Sequence, residues 1–544
     1  MSTGTSRAPA ADERAFVEFY RQYLARFQPL HKTAAQAWWE ANVTGSDDAF
    51  ARKVKAEQAI VELHADHAAF ARLTHWLDGD LGEPVLRRQH NVVYRAFLSR
   101  QADAAVQKRI VELENQIEQT FNTHRSQVDG CGLTENEVRE ILATSTDAGQ
   151  VSAAWKGYMA VGERVAEALR EVVTLRNEVA RELGYDDFFV MALDLQEIDP
   201  DALTRLFDEL DALTWQPFAA LKDELDDRLA RRFGVPRASL RPWHFGDLFF
   251  QEAVGEAESG LDGLYRDRDL IGVATSYYAT LGIPVEGVLS RSDLYERDGK
   301  SPHAFAVDLD RLGDVRILCN LKPSVRWMDT LLHELGHAVY DGGIDPTLPW
   351  VLREASSAIT TEGIAMMMGS MAKNEEFLVR VLEVPRAEAA PLVAAAQRSL
   401  AIEKLIFSRW AQVVVRFERA MYRDPDQDLS ALWWDLKQKY QRLEPPDRIA
   451  PDYAAKVHVA VYPAYYQSYV MGDLFGTQLR QTLAEQVGPD VNPAATCFYG
   501  RPDVGAYLRE QVFGPGTRYA WHELTERATG APLSAQAFAR QYVA

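Results

Sequence analysis

Apolar residues recur at helical spacing along most of this 544-residue chain. The segments 13–27, 103–121 and 201–233 place them every three or four positions, which is the pattern of an amphipathic α-helix. The Ala-rich stretch 387–407 has charged edges and predicts a further helix that starts after Pro391. A chain with this periodicity is expected to fold as a mainly α protein.

Strand candidates are few and lie side by side. Residues 303–310 and 314–321 are rich in β-prone residues, and the tripeptide between them has turn chemistry. They predict a hairpin or small sheet. We interpret residues 1–12 as a disordered tail of small and polar residues. No repeat or linker divides the rest, so residues 13–544 are predicted to form a single domain, built of two helical lobes.

Charge and composition exclude several classes of protein. The net charge of −20 argues against nucleic acid or an anionic membrane as the main partner. No run of about 18 apolar residues is present, so no membrane span is predicted. Cys131, Cys319 and Cys497 are far apart, which argues against a disulfide framework and a cysteine metal site. The N-terminus lacks the apolar core of a signal peptide. We therefore expect a cytoplasmic location.

The segment LLHELGHAVY carries a candidate metal motif. Residues four apart lie on one face of a helix, so His333 and His337 can hold one Zn²⁺ through two imidazoles. Glu334 lies about 100° round the helix from His333, where it can meet a water beside the metal. A catalytic zinc takes three protein ligands and a water, and a carboxylate can accept the proton of that water. The motif alone can also arise by chance.

The third ligand must come from another part of the chain. The next predicted helix offers Glu354 and Glu362. Thr360 and Thr361 can cap or begin a helical turn at Glu362, whose apolar surroundings make a carboxylate costly unless it is paired or bound to metal. Glu354 follows Arg353 and is explained by a salt bridge. These features favour Glu362.

Several ordered stretches together extend the pattern well beyond the metal motif. They are AWWEANVTG (37–45), HAFAVD (303–308), HELGH (333–337), REASSAITTEG (353–363) and KVHVAVYPAYYQSYVMGDLF (456–475). In this respect the chain resembles the angiotensin-converting-enzyme family of zinc peptidyl-dipeptidases, and more loosely the thimet-type oligopeptidases. The resemblance implies a mainly α, two-lobed helical clam with a deep central cleft, in which residues 13–544 form one peptidase domain.

The resemblance also implies a cofactor, a substrate class and a set of catalytic residues. It implies one Zn²⁺ per chain, held by His333, His337 and Glu362, and short peptides as substrates. Glu334 would act as general base and then as general acid. His458 and Tyr469 would stabilise the oxyanion of the tetrahedral intermediate.

Further positions would bind the substrate. By resemblance, Lys456 and Tyr466 would hold its C-terminal carboxylate, and an alternative alignment gives Tyr465 the role of Tyr466. His303, Ala304 and Ala306 would line the cleft, the two alanines through backbone hydrogen bonds to an extended peptide.

Three positions depart from the family pattern. Pro302 stands where secreted members have a cysteine, so the disulfide beside His303 is absent. Met366 replaces an aspartate that orients a zinc histidine, which implies weaker zinc binding or another carboxylate in that role. Ser468 replaces an arginine that helps to hold chloride in animal members, so we expect little activation by chloride.

The leading hypothesis is a zinc peptidase that releases dipeptides from the C-terminus of short peptides. Within enzymes, the alternatives are an oligopeptidase that cuts internally and a protease that matures one biosynthetic peptide. An alternative of another class is a catalytically inactive peptide-binding protein, supported only by Met366.

Overall fold

The computed structural model describes residues 11–77, 81–128, 130–252 and 260–543. In these ranges it contains 22 α-helices and two antiparallel sheets of two strands each, which confirms the mainly α fold. The chain divides into two compact units. The first is built from the described residues of Met1–Gln101, Gly260–Ala390 and Leu479–Pro532. The second is built from those of Ala102–Ser259, Pro391–Gln478 and Leu533–Ala544. That residues 13–544 form one domain stays a prediction.

The helices and strands have the following bounds. The α-helices are α1 (Ala11–Thr44), α2 (Asp47–His64), α3 (His67–His75), α4 (Pro84–Leu98), α5 (Ala104–Thr123), α6 (Glu135–Thr144), α7 (Ala148–Glu182), α8 (Phe188–Leu195), α9 (Pro200–Phe233), α10 (Asp262–Tyr265), α11 (Leu270–Thr280), α12 (Glu286–Leu289), α13 (Val325–Gly342), α14 (Ala358–Gly369), α15 (Glu375–Arg380), α16 (Arg386–Arg423), α17 (Leu429–Gln441), α18 (Val457–Val461), α19 (Tyr466–Val487), α20 (Pro502–Tyr507), α21 (Trp521–Thr529) and α22 (Gln536–Tyr542). The strands are β1 (Ser126–Val128), β2 (Cys131–Leu133), β3 (Phe305–Asp308) and β4 (Val315–Leu318).

Helix α9 shows how local chemistry sets the ends of a predicted helix. The side chain of Asp199 accepts a hydrogen bond from the backbone N–H of Ala202 at 2.6 Å, and Pro200 occupies the first turn. Gly234 follows the helix with a φ of +64°, a conformation that glycine adopts without steric cost. The predicted helix over 201–233 is confirmed, with its start one residue earlier at Pro200.

Helix α16 continues through a proline after which the sequence predicts its start. Helix α16 begins at Arg386 and runs through Pro391, so the predicted start after Pro391 is wrong. The missing N–H removes one hydrogen bond near the N-terminus of the helix. Downstream, Trp410 and Phe417 are fully buried, and burial of this apolar face stabilises a helix long enough to tolerate the loss.

The N-terminal segment is only partly described. Residues 1–10 of the predicted tail 1–12 lie outside the described residues, and Ala11 and Asp12 are the first residues of α1. Across the described helices, none is both long and apolar enough to cross a membrane.

The first unit contains the predicted hairpin directly before the metal-motif helix. Strands β3 and β4 pair antiparallel, with Phe305 opposite Leu318 and Ala306 opposite Ile317. The hairpin prediction is confirmed. The strands β1 and β2 form the other small sheet, in the second unit.

Candidate active site

Two helices of the first unit carry the candidate metal ligands. Helix α13 holds the HELGH motif and begins after Ser324, whose hydroxyl accepts from the N–H of Trp327 at 3.2 Å. Helix α14 carries Glu362 and begins after Ser357, whose hydroxyl accepts from the N–H of Ile359 at 2.9 Å. The cap of α14 is therefore Ser357 and not Thr360 or Thr361, which lie inside its first turn.

Two glycines lie where these helices pack closely against each other. A Cβ added at Gly336 would lie 2.8 Å from the Cα of Ala365 in α14. A Cβ added at Gly369 would lie 2.6 Å from Oδ1 of Asp329 in α13. The backbone contact requires glycine at position 336, whereas the contact of Gly369 is with a side-chain oxygen that can move aside. Gly336, inside HELGH, thus allows α14 to lie close enough for Glu362 to reach the two histidines.

The three candidate ligands face one another. The Nε2 atoms of His333 and His337 are 3.2 Å apart. The carboxylate of Glu362 lies 3.7 Å from Nε2 of His333 and 3.9 Å from Nε2 of His337. Two ligands of one tetrahedral zinc at about 2.0–2.1 Å lie roughly 3.3 Å from each other, so the nitrogen spacing fits a shared ion. These residues form a group that can bind a metal ion.

The alternative third ligand lies in a different environment. Glu354 forms an ion pair with Arg311, whose guanidinium stacks 4.3 Å from the ring centroid of Trp350. The salt-bridge interpretation of Glu354 holds, with Arg311 rather than its neighbour Arg353 as the partner.

Burial sets the protonation of the groups around this centre. It lowers the pKa of His337 to about 3, with the charge of His333 adding to the effect, so the imidazole is neutral as a metal ligand must be. Glu334 is only 6% exposed. Burial raises its pKa to about 8, and the negative charge of Glu362 contributes to the shift.

A neutral hydroxyl contacts the second ring nitrogen of His337. Oγ1 of Thr361 lies 2.7 Å from Nδ1 of His337. A ring N–H donated to this oxygen leaves Nε2 of His337 free for the metal. Thr361 thus provides a hydrogen-bond partner for a candidate zinc histidine, although Met366 replaces the family's aspartate. No sequence feature predicted Thr361 in this role, because a threonine before Glu362 indicates the start of a helix.

The strand β3 presents backbone groups on its open edge. Ile317 in β4 accepts from the N–H of Asp293 through its carbonyl, and its own N–H donates to Ser292 Oγ. Both groups of Ile317 thus point away from β3, so Ile317 and Ala306 form a non-hydrogen-bonded pair. The N–H and C=O of Ala306 therefore point away from β4. This is the geometry that the predicted contact with an extended peptide requires.

The other two predicted residues of this segment precede β3. Ala304 is partly buried and lies two positions before Ala306. His303 is exposed, and its backbone N–H donates to Ser301 Oγ at 3.3 Å. Their roles in lining a cleft stay predictions.

The second unit contains a buried ammonium group at Lys456. The residue is 7% exposed, and its Nζ donates to Oε1 of Gln251 at 2.8 Å. The ammonium also lies 5.1 Å from the ring centroid of Phe249 and 5.6 Å from that of Tyr466. Burial lowers the pKa of Lys456 to about 8, against the opposing charge of Asp247. Gln251 was not predicted, because it is 205 residues away in the chain.

His458 lies beside the same tyrosine. Its ring centroid is 5.3 Å from that of Tyr466 and 5.6 Å from that of Tyr462. Burial lowers the pKa of His458 to about 4, and the charge of Lys456 contributes. Nδ1 of His458 is buried without a hydrogen-bond partner in the part of the chain that the structure describes. A neutral imidazole with an unused ring atom is a suitable donor for a bound substrate.

The three tyrosines at the start of α19 differ in exposure. Tyr466 is 4% exposed and contacts Lys456 and His458, whereas Tyr465 is 38% exposed. This placement favours Tyr466 over Tyr465 as the partner of Lys456. Tyr469 is half-buried, with its ring centroid 5.7 Å from that of Tyr466. Ser468 is buried, and its hydroxyl donates to Gln196 Oε1 at 3.3 Å.

The structure therefore assembles the predicted residues in two groups. His333, His337, Glu362 and Glu334 come together in the first unit, and Lys456, His458, Tyr466 and Tyr469 come together in the second.

Comparison with protein families covers the residues of both groups. The family model described as angiotensin-converting enzyme, Peptidase_M2, matches residues 10–248 and 265–543. The match includes the metal group, Glu334 and the 456–469 segment.

Curated relatives are similar at low identity. The chain is 22% identical to the angiotensin-converting enzyme-like protein Ace3 of Mus musculus, over 97% of this chain and 75% of that protein. It is 23% identical to the angiotensin-converting enzyme of Oryctolagus cuniculus, over 96% of this chain and 42% of that protein. It is 24% identical to the enzyme of Rattus norvegicus, over 74% of this chain and 32% of that protein. The chain thus spans less than half the length of the rabbit and rat enzymes.

Proposed function

Because the chain belongs to the angiotensin-converting-enzyme family of metallopeptidases, we propose that it is a zinc-dependent peptidyl-dipeptidase that removes dipeptides from the C-terminus of short peptides. His333, His337 and Glu362 would hold the zinc ion. Two imidazoles and one carboxylate are the donor set of many catalytic zinc sites.

The observation that carries the C-terminal specificity is the buried ammonium of Lys456. Its hydrogen bond goes to a neutral amide, and no carboxylate of a described residue forms an ion pair with it. A buried ammonium without a directly paired carboxylate is unfavourable in the free protein, and the charge of Asp247 offsets only part of this cost. A substrate carboxylate would supply that partner, so a peptide with a free C-terminus would be bound at this ammonium.

The chemistry of the step follows from the groups on α13. When bound, zinc would supply Lewis-acid activation of the scissile carbonyl. The positive charge of a bound metal would lower the raised pKa of Glu334, so that its carboxylate accepts a proton from the attacking water and passes it to the leaving amine nitrogen. Because Glu334 is buried, the proton it accepts is shielded from exchange with bulk water before it reaches the leaving nitrogen.

Two neutral donors would stabilise the oxyanion. The imidazole of His458 donates through a ring N–H, and Tyr469 donates through its hydroxyl. A hydrogen bond from such a donor strengthens as negative charge develops on the oxygen, so it stabilises the transition state more than the neutral amide.

Mass spectrometry of the products from a mixed short-peptide library tests the proposal. Wild type is compared with Glu334→Gln, with chelator-treated enzyme and with Lys456→Met. We expect losses of two C-terminal residues that vanish in the first two controls. In Lys456→Met the KM for these peptides should rise at least tenfold.

Other outcomes identify the alternatives. Internal cuts that are equally fast in wild type and Lys456→Met would point to an oligopeptidase and contradict dipeptide release. Absence of any cut, with metal still bound, would favour a peptide-binding protein.

A further inference from the structure

A buried loop leads into the residue that holds Lys456. All residues from Pro242 to Gln251 are buried, although this stretch contains neither an α-helix nor a strand beyond one 3₁₀ turn at its start. A buried loop leaves backbone N–H and C=O groups away from water, and each needs a partner. The partners of the segment 247–251 identify what holds this loop in place.

Side chains satisfy the backbone of this loop in turn. Oδ2 of Asp247 accepts from the N–H groups of Phe249 and Gln251, each at 3.0 Å. The indole of Trp155 donates to the carbonyl of Leu248 at 2.9 Å. These contacts fix the start of the loop.

Helix α17 provides the two donors that hold the remaining carbonyls. Nζ of Lys437 donates to the carbonyl of Phe249 at 2.9 Å. Nε2 of Gln441 donates to the carbonyl of Phe250 at 2.6 Å. Lys437 and Gln441 are four residues apart, so they project from one face of α17 onto neighbouring carbonyls.

The backbone conformation at Phe250 shows why these donors are needed. Its φ is +53°, in the left-handed region that a bulky L-residue rarely occupies. Such a residue costs on the order of 1–3 kcal/mol and persists only where the surroundings over-determine it. The turn at Phe250 directs the next residue, Gln251, to the ammonium of Lys456.

The choice of a lysine at position 437 is unusual for a purely structural hydrogen bond. The residue is 2% exposed, and its ammonium lies 5.0 Å from the ring centroid of Trp410 and 5.5 Å from that of Trp433. No described carboxylate forms an ion pair with it. Burial lowers the pKa of Lys437 to about 7. In its charged form, Lys437 binds the carbonyl of Phe249 more strongly than a neutral donor would.

We propose that Lys437 and Gln441 are positioning residues for substrate binding, which act by fixing the loop 247–251 so that Gln251 holds the Lys456 ammonium in one place. The inference rests on the proposed role of Lys456 as the anchor of the substrate carboxylate. Neither residue needs to touch the substrate. Their effect is to hold the Lys456 ammonium in one position before substrate binds. Binding then carries a smaller entropic cost of ordering this side chain.

Paired substrates separate this role from general support of the fold. A short peptide with a free C-terminus is compared with the same peptide carrying a C-terminal amide, which lacks the charge that Lys456 would bind. The variants are Lys437→Met and Gln441→Met, which remove the donors with little change of volume. Gln438→Met is the matched control, because Gln438 is an exposed residue of the same helix.

We expect both variants to raise KM for the free-carboxylate peptide five- to tenfold or more, with kcat within about threefold of wild type. Cleavage of the amidated peptide should keep its kcat/KM, and Gln438→Met should match wild type on both peptides. Lys437→Arg keeps a donor and a charge and should restore most of the lost affinity. In a Lys456→Met background, Lys437→Met should add little, because its effect passes through Lys456.

Several results would overturn the inference. They are an unchanged KM in both variants, an equal loss on both peptides, or full additivity with Lys456→Met. If Lys437→Met fails to fold, judged by its thermal unfolding midpoint, Gln441→Met and Lys437→Arg still decide the question. If wild type itself does not distinguish the two peptides, the proposed function fails and this inference with it. If wild type distinguishes them and the α17 variants do not matter, only this inference fails.

Discussion

At the scale of single residues, the imidazole of His337 shows how this chain departs from the pattern it otherwise follows. Its Nδ1 contacts the hydroxyl of Thr361 at 2.7 Å. A carboxylate partner would make the imidazole a stronger donor to a metal, whereas a hydroxyl mainly fixes the ring orientation and tautomer. The hydroxyl is thus expected to contribute to metal affinity through geometry.

Substitution of Thr361 tests this contribution. We expect Thr361→Val, which has the same shape without the hydroxyl, to lower Zn²⁺ affinity about 10–100-fold. Thr361→Ser keeps the hydroxyl and should retain most of the affinity. The measurement is competition for Zn²⁺ between the purified protein and a chromophoric chelator.

The metal-free proteins provide the control. Their thermal unfolding midpoints should be similar for the valine and serine variants, which separates ligand orientation from stability of α14. Equal Zn²⁺ affinity in wild type and Thr361→Val would show that the hydroxyl has no part in orienting His337.

The same residues show which parts of the site the sequence can predict. His333 and His337 were predictable because their spacing of four is a local helical property. Glu362 was predictable from a charge in an apolar run, and the structure places it beside both histidines. Gln251 was missed because its partner Lys456 is 205 residues away, and Thr361 was missed because its position indicated a helix start rather than a contact with His337.

At the scale of elements, the packing of α13 against α14 determines whether the third ligand can reach the histidines. The Cβ position of Gly336 lies 2.8 Å from a backbone atom of α14, which cannot move aside as a flexible side chain can. The helices must therefore separate or shift if any side chain is added there. A shift of α14 carries Glu362 with it.

Gly336→Ala is expected to destabilise the protein by about 1–3 kcal/mol, the range for overpacking a close contact, and to lower Zn²⁺ affinity as well. Gly342→Ala is the matched control on the same helix, because its Cβ would meet no atom within 4 Å. This control should be neutral or slightly stabilising, since alanine has the higher helix propensity. Chemical denaturation and chelator competition measure the two effects. Identical behaviour of the two alanine variants would contradict the close-packing argument.

Helix boundaries show where element-scale prediction from sequence stops working. The apolar spacing over 201–233 predicted α9 to within one residue, and the groups that end this helix, Asp199 and Gly234, are its immediate neighbours. Pro391 gave a wrong start for α16, because the energy that extends this helix comes from burial of residues such as Trp410 far along it. The hairpin of β3 and β4 was predictable, since its turn and both strands lie within one short stretch.

At the scale of the whole molecule, buried acids connect the stability of the fold to pH. Glu418 in the second unit is 1% exposed. Its Oε1 accepts from the N–H of Ala464 at 3.0 Å, while its Oε2 is buried without a partner among the residues that the structure describes. Burial raises the pKa of Glu418 to about 8, although the Ala464 hydrogen bond and the charge of Arg176 oppose the shift. The folded protein therefore holds this proton at a pH where the unfolded chain releases it.

The sign of the effect follows from this difference. Below the unfolded pKa of about 4.3 both states keep the proton, and Glu418 does not make stability depend on pH. As pH rises from there to about 8, the unfolded state gains stability by ionising, so the folded state becomes relatively less stable. The slope from this one group reaches about 1.4 kcal/mol per pH unit.

Glu418→Gln removes the titration and keeps an oxygen that can accept from Ala464. We expect wild type and variant to have similar unfolding midpoints near pH 5, and the variant to unfold at progressively higher temperature than wild type towards pH 8. Glu403→Gln, an exposed position on the same helix α16, should follow wild type across the range. Thermal unfolding at closely spaced pH values measures this. Parallel curves for Glu418→Gln and wild type would mean that Glu418 is already ionised in the folded protein, and that its buried oxygen is compensated by a group such as the nearby Arg176.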